Sequence, residues 1–205
     1  MRDIPVFTVP SGMATLILRE IPPRGEAFVL LRGVFTTQEE LLGECAAFCR
    51  AAGAERVYYG GGDAPPQGAA YATLVPRGVD RGSLPPTEAQ ALPLCPGEAE
   101  EWQRLYRARF RAVPAASSVC ERGEKYFVRL GGRRIGLGAV DGETLCAVAS
   151  LERGCGADCV LALAARASGA RLRLLCAAEN RAAMRLYDRL GFDVGEAVER
   201  WYAVK

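Results

Sequence analysis

Two short stretches bring together residue types able to handle a phosphate and a proton. The first, CAVASLERGCGADC (146–159), runs from an apolar segment through a glycine-containing turn into a helical pattern. Such a turn can aim backbone N–H groups and the positive end of a helix at an anion, with Arg153 adding charge. A glycine turn joining strand to helix is also an ordinary connection, so phosphate binding and plain chain reversal both stay open at this point. The second stretch, ENRAAMRLYDRLGF (179–192), reads as a short amphipathic helix. Asn180 stands at the N-cap position, Ala183, Leu186, Tyr187 and Leu190 share the buried stripe, and Gly191 supplies the stop. Tyr187 is there either a packed aromatic or a phenol placed for chemistry.

The flanking segments must position these residues. ATLILREI and EAFVLLRGV predict a hairpin closed by PPRG. TTQEELLGECAAFCRAAG predicts a helix opened by a capping box, Thr37 with Glu40, and ended at Gly53. RVYYG and AYATLVP read as strands around the loop GGDAPPQG; Tyr58 to Asp63 is either a substrate loop or an ordinary glycine-rich turn. Residues 76–97, rich in Pro and Gly, read as a linker into a short strand near Leu92. EAEEWQRLYRARFRAV then carries Trp102, Leu105, Tyr106 and Phe110 at helical spacing.

KYFVRL, RIGLGAV and TLCAVAS read as three strands with hairpin turns at GGR and DGE. A helix (ADCVLALAARASG), a strand (RLRLLCAA), a helix (NRAAMRLYDRL) and one or two closing strands (FDVGEAVERWYAVK) follow. This order predicts an α/β fold with a mixed, mostly antiparallel sheet flanked by helices, in domains 1–88 and 89–205. CRAAGAERVYY and ARASGARLRLL echo one another where a helix stops on glycine and a strand begins, as in a structural repeat or a common junction.

Composition narrows the function classes. Half of the 205 residues are apolar, enough for a core without covalent staples. Net charge is +2 and no run of Lys or Arg marks a nucleic-acid surface or a membrane anchor. Residues 1–90 carry 8 basic and 10 acidic groups, against 18 and 14 over 91–205, so the later part suits an anionic ligand. The eight cysteines include no C-x-x-C pair and the chain has no histidine, which argues against zinc and against a Cys–His nucleophile. Reduced structural thiols in a cytoplasmic protein are expected, with neither a signal segment nor a span of about 20 apolar residues.

A strand, an R-x-x-G loop, a helix stopping on glycine, a strand and N-x-x-A-x-x-L-Y-x-x-L-G-F together resemble the GNAT superfamily of N-acyltransferases, most strongly over residues 140–195. The resemblance implies an acetyltransferase that moves an acetyl group from acetyl-CoA to a primary amine by direct attack, without a metal. It implies that backbone amides near Cys146 and Val148 bind the thioester carbonyl and pantetheine arm. Arg153, Gly154, Gly156 and Ala157 would form the pyrophosphate loop, and Asn180 would contact the pantetheine arm. Tyr187 would protonate the departing thiolate; a phenol of pKa near 10 suits a thiol leaving group. Residues 1–88 would then be a smaller GNAT-like domain, by analogy with tandem members.

Two positions leave alternatives open. Asp158 stands where the family has Gly or Ala, and its carboxylate either points away and permits CoA binding or caps the helix and closes the phosphate site. Glu143, beside Asp141, is placed as a general base for the amine or is simply part of a solvated turn. A catalytically silent CoA-sensing or partner-binding module is the alternative function. The acceptor amine and the oligomeric state, a homodimer included, are not readable from these residues.

Overall fold

The structure, a computed structural model, describes residues 1–63, 70–110 and 122–205. The expected loop from Ala64 to Gly68, the expected helical turn beyond Phe110, and Cys120 lie outside the described residues. The chain divides into two compact units, one joining residues 1–73 to 197–205 and the other comprising 74–196.

In the first unit, β1 (Ile4–Val9), β2 (Gly12–Ile17) and β3 (Glu26–Val34) form an antiparallel meander. The expected β2–β3 hairpin is present, but its connection is a helical turn, α1 (Ile21–Arg24), with prolines in its first turn and Gly25 in the left-handed region at its end. Helix α2 (Gln38–Ala51) crosses from β3 to β4 (Arg56–Gly60), which lies parallel to β3. Its predicted cap forms, with Thr37 Oγ1 accepting from Glu40 N at 3.2 Å. Leu41, Leu42, Cys45, Ala46 and Cys49 recur on one face and close over Ala14, Leu16, Val29, Leu31 and Val57. The sheet order is β1-β2-β3-β4, completed by the chain's last strand, β12 (Glu199–Ala203), antiparallel to β4.

The second unit is a sheet ordered β5-β10-β9-β8-β7-β6. Its members are β5 (Ala72–Asp80), β6 (Gln90–Pro93), β7 (Glu124–Leu130), β8 (Arg133–Asp141), β9 (Thr144–Ser150) and β10 (Arg171–Ala177), with short β11 (Asp193–Val194) paired to β5. Helix α3 (Ala99–Arg109) sets Trp102 and Tyr106 on one face, against Phe127, Leu137, Ala139, Ala147 and Ala149. Helices α4 (Gly156–Ala164) and α5 (Arg181–Arg189) cover the opposite face, where Val160, Leu163 and Tyr187 meet Val128, Ile135, Leu172 and Leu174. The glycines of RIGLGAV explain the close approach of α4. A Cβ on Gly136 would overlap Cys159 Sγ, and one on Gly138 would overlap Leu163 and lie 2.6 Å from the Ala147 carbonyl oxygen.

The predicted α/β fold with its mostly antiparallel sheet is therefore the observed one. The two compact units divide inside β5, after Thr73, and Pro76–Asp80, expected to open a linker, extend that strand. Seven residues of β5 pair with β10, so Pro76 and Gly78 sit within a ladder that their types disguise. The closing segment also splits: Asp193–Val194 pair with β5 in the second unit, whereas β12 belongs to the first.

Candidate functional site

The echoed sequences mark the same local topology twice. Each lies where a helix returns the chain to a parallel neighbouring strand, β3-α2-β4 in the first unit and β9-α4-β10 in the second. The two crossovers differ in closure. β3 and β4 stay in register over five positions, Glu26↔Arg56 through Leu30↔Gly60. β9 and β10 share one pair, Thr144↔Arg173, and part beyond it.

Cys146 follows that last pair. The β8–β9 register runs Ala139↔Ala147 and then Val140↔Leu145, so Cys146 is the extra residue of a bulge. The bulge reverses the faces of β9: Leu145 joins the core under α4 and α5, whereas Ala147 and Ala149 join the one under α3. Cys146 itself is half-buried, and burial foremost, with Asp141 nearby, pushes its thiol pKa up. Val148 is half-buried toward α4. The two residues expected to offer backbone amides thus lie on the strand that separates from its neighbour, one of them at the bulge.

At the far end of β9 the chain turns into α4. Cys155 occupies the N-cap without any side-chain cap to the helix among the described residues, and Gly154 adopts a left-handed φ of 90°. Asp158 accepts from Thr87 Oγ1 at 3.0 Å, and the same hydroxyl accepts from Ala89 N at 3.1 Å. A carboxylate committed to Thr87 is not a helix cap, so the first-turn N–H groups of Gly156 and Ala157 keep their donors. Arg153 is exposed and makes no ion pair among the described residues. The loop therefore presents first-turn N–H groups and an exposed guanidinium on one side of a helix end.

Helix α5 begins as its sequence predicts: Asn180 Oδ1 accepts from Ala183 N at 3.2 Å. An open cleft of about 620 Å³ lies there, lined by Ala178, Glu179, Arg181, Met184 and Arg185. Tyr187 is the buried residue of α5, 7% exposed, with its ring 5.3 Å from that of Phe192. Burial dominates its ionisation and holds its phenol well above the ordinary tyrosine value, with Cys176 reinforcing and Arg77 opposing the shift. The hydroxyl makes no hydrogen bond among the described residues.

Glu143 is placed differently. Its carboxylate pairs with Arg173 Nε at 3.1 Å, at the closed end of the two parallel strands, while its carbonyl accepts from Arg173 N at 3.0 Å. Tyr187 shares a core cluster with Cys176, three residues further along β10. The structure thus places Cys146 and Val148 on the strand that parts from β10, the Arg153–Ala157 loop at its far end and Asn180 at the start of α5. Tyr187, Val148 and Cys155 lie in one core cluster, with Cys146 on the opposite face and Glu143 at the paired end. Among the described residues no cluster of His, Cys, Asp and Glu could hold a metal, and no helix is long and apolar enough to cross a membrane. The seven described cysteines are free.

Sequence reasoning missed Arg77 and Thr87, both assigned to a Pro- and Gly-rich linker. The alternation L-V-P-R-G-V was the available signal for Arg77, obscured by a proline and a glycine. Thr87 had no local signal, because its partner lies 71 residues away.

No family model and no curated protein matches this chain. Solved structures of similar fold include a GCN5-related N-acetyltransferase from Sphaerobacter thermophilus, at 14% identity and TM-score 0.54, covering 95% of this chain and 76% of that one. A candidate acetyltransferase from Pyrococcus horikoshii matches at 13% identity and TM-score 0.58, over 95% and 69% of the two chains. A conserved protein of unknown function from Staphylococcus epidermidis ATCC 12228 matches at 11% and 0.58, over 97% and 92%. At these identities the likeness defines the fold, which is the acyltransferase type, mixed and mostly antiparallel with flanking helices.

Proposed function

We propose that this protein transfers an acetyl group from acetyl-CoA to a primary amine. One observation carries the reading: β9 and β10 keep a single parallel pair and part near a bulge on Cys146, and β9 then leads into a helix N-terminus with no side-chain cap among the described residues. Acetyl-CoA would be held by the amides near Cys146 and Val148, by Arg153, Gly154, Gly156 and Ala157, and by Asn180. Bound there, it supplies an activated thioester.

The chain's own residues supply the rest. Parted strands offer unpaired backbone donors to a carbonyl oxygen that gains charge during acyl transfer. Tyr187 keeps its proton through the neutral range because its burial opposes the phenolate, which suits a group that donates only when a thiolate departs. Glu143 is the proposed acceptor of the amine proton. The first unit is read as a second copy of the same architecture without the site, since its parallel strands stay paired and Thr37 caps its helix. The protein is read as cytoplasmic.

The test is calorimetric titration with acetyl-CoA, repeated with acetyl-pantetheine, followed by an acceptor screen. Saturable binding that weakens when the pyrophosphate is removed, with thiol release on adding an amine, is expected. Absence of binding at millimolar ligand would overturn the transferase reading and leave an interaction module.

A further inference from the structure

Among the described residues of the second unit, one guanidinium is buried, and it has no part in the machinery so far described. Arg77, on β5 opposite Leu174 of β10 and Val194 of β11, is 3% exposed. Its Nη1 donates to the Phe192 carbonyl at 3.0 Å. Its Nη2 donates to the Met184 carbonyl at 3.3 Å and to Asp188 Oδ1 at 2.7 Å, and lies 3.5 Å from Met184 Sδ. Its Nε is buried without a hydrogen-bond partner among the described residues.

These contacts bracket Tyr187 in the sequence, three residues before it, one after and five after. The Tyr187 carbonyl in turn accepts from Phe192 N at 2.9 Å, so the residue whose carbonyl Arg77 holds is itself tied to Tyr187. Helix α5 has nine residues; Tyr187 alone is fully buried, while Ala183, Met184 and Leu186 are only partly buried against the same core, so a polar tie adds to the apolar contacts in fixing its rotation. A planar donor fork fixes direction as well as distance.

Stability alone does not require an arginine here. Burying a guanidinium is costly, and well-packed apolar side chains commonly serve as well or better. Here one partner, Asp188, is 61% exposed, and Nε has no partner among the described residues. What an apolar residue could not do is hold a carbonyl and a carboxylate of one short helix, together with the Phe192 carbonyl just beyond its end, in a single orientation.

We propose that Arg77 is a positioning residue, which sets the place and orientation of the Tyr187 phenol by clamping the last turn of α5 to β5. The assignment of a catalytic task to Tyr187 rests on the acyl-transfer reading; the clamp itself does not. The charged and titratable groups about Tyr187 are Arg77 on β5, Cys176 on β10 and Asp188 on α5.

The experiment compares native protein with Arg77→Met, Arg77→Lys and Asp188→Asn, using two readouts. The first is steady-state acetyl transfer beside acetyl-CoA affinity. Arg77→Met is expected to lower kcat about tenfold or more while the dissociation constant moves less than about threefold, since displacement of a proton donor affects turnover first. Arg77→Lys, which keeps charge but not the fork, recovers part of the loss, and Asp188→Asn, which keeps both carbonyl bonds, loses less.

The second readout is the ring resonance of Tyr187 in protein carrying isotope-labelled tyrosine, assigned by its loss in Tyr187→Phe. It shifts or broadens in Arg77→Met and returns toward the native position in Arg77→Lys. An unmoved Tyr187 signal in both Arg77 variants overturns the proposal, as does native kcat in Arg77→Met. If Arg77→Met does not fold, Arg77→Gln, which loses the charge and the fork but keeps an amide donor, takes its place and decides by the same signal. An inactive native protein defeats the transferase reading, and the resonance still decides the clamp.

Discussion

Thr87 Oγ1 donates to Asp158 Oδ1 at 3.0 Å, across 71 residues of chain. That bond keeps a carboxylate in the first turn of α4 away from the helix N–H groups. Thr87→Val leaves Asp158 without this partner and free to turn onto the helix end. The expected result is acetyl-CoA affinity weakened by about fivefold, matching the ~1 kcal/mol of one hydrogen bond. Asp158→Asn in the same background should restore it, because the amide adds no repulsion toward a phosphate. Calorimetric titration of the three proteins checks both steps.

Tyr187→Phe preserves the ring packed 5.3 Å from Phe192 and removes only the hydroxyl. Turnover is expected to fall by about two orders of magnitude, the usual contribution of a positioned proton donor, at nearly unchanged acetyl-CoA affinity. Equal turnover in the two proteins would remove Tyr187 from the chemistry.

Alkali should unfold the protein through its buried thiols. Burial pushes Cys45 and Cys176 up to about 11, and Cys49 and Cys159 up to about 12, from an ordinary value of 9.0. A pKa raised by folding means that the native state retains a proton the unfolded chain releases. Stability from these groups is complete below pH 9.0 and falls as pH rises toward 11 and 12. Urea midpoints measured from pH 8 to pH 11 should decline, and Cys45→Ala, which lacks the thiol, should decline less steeply.

Two glycine replacements should have opposite signs. Gly138→Ala drives a methyl into Leu163 and toward the Ala147 carbonyl, and overpacking of that kind costs about 1–3 kcal/mol. Gly43→Ala lies on the exposed side of α2 with nothing within 4 Å of the new Cβ, and should stabilise by up to ~1 kcal/mol. Thermal unfolding of the pair tests whether the glycines of RIGLGAV serve close packing.

Local chemistry explains what was legible. The Asn180 cap, the Thr37 cap and the β7–β9 meander are written in adjacent residues, and all form as predicted. β1 and β5 were missed or cut short because IPVFTVP and LVPRGVD place prolines in or beside a ladder, where proline usually signals its end. The bulge at Cys146 has no marker, since it arises from register between two strands. Arg77 and Thr87 act through partners more than 70 residues away, beyond the reach of any periodicity.

The first unit takes its fifth strand, β12, from residues 199–203, although the rest of it is complete by Thr73. During synthesis on the ribosome, β4 must therefore wait with an unpaired edge until more than a hundred further residues have emerged. Tyr58, Tyr59 and Gly60 meet their partners only when Trp201, Tyr202 and Ala203 arrive. The waiting edge is the kind of surface on which another chain can pair, and Arg56 at its start is a charged guard against that. Closing so distant a contact makes assembly of the first unit slow relative to a local meander, and ties its completion in time to the making of the second.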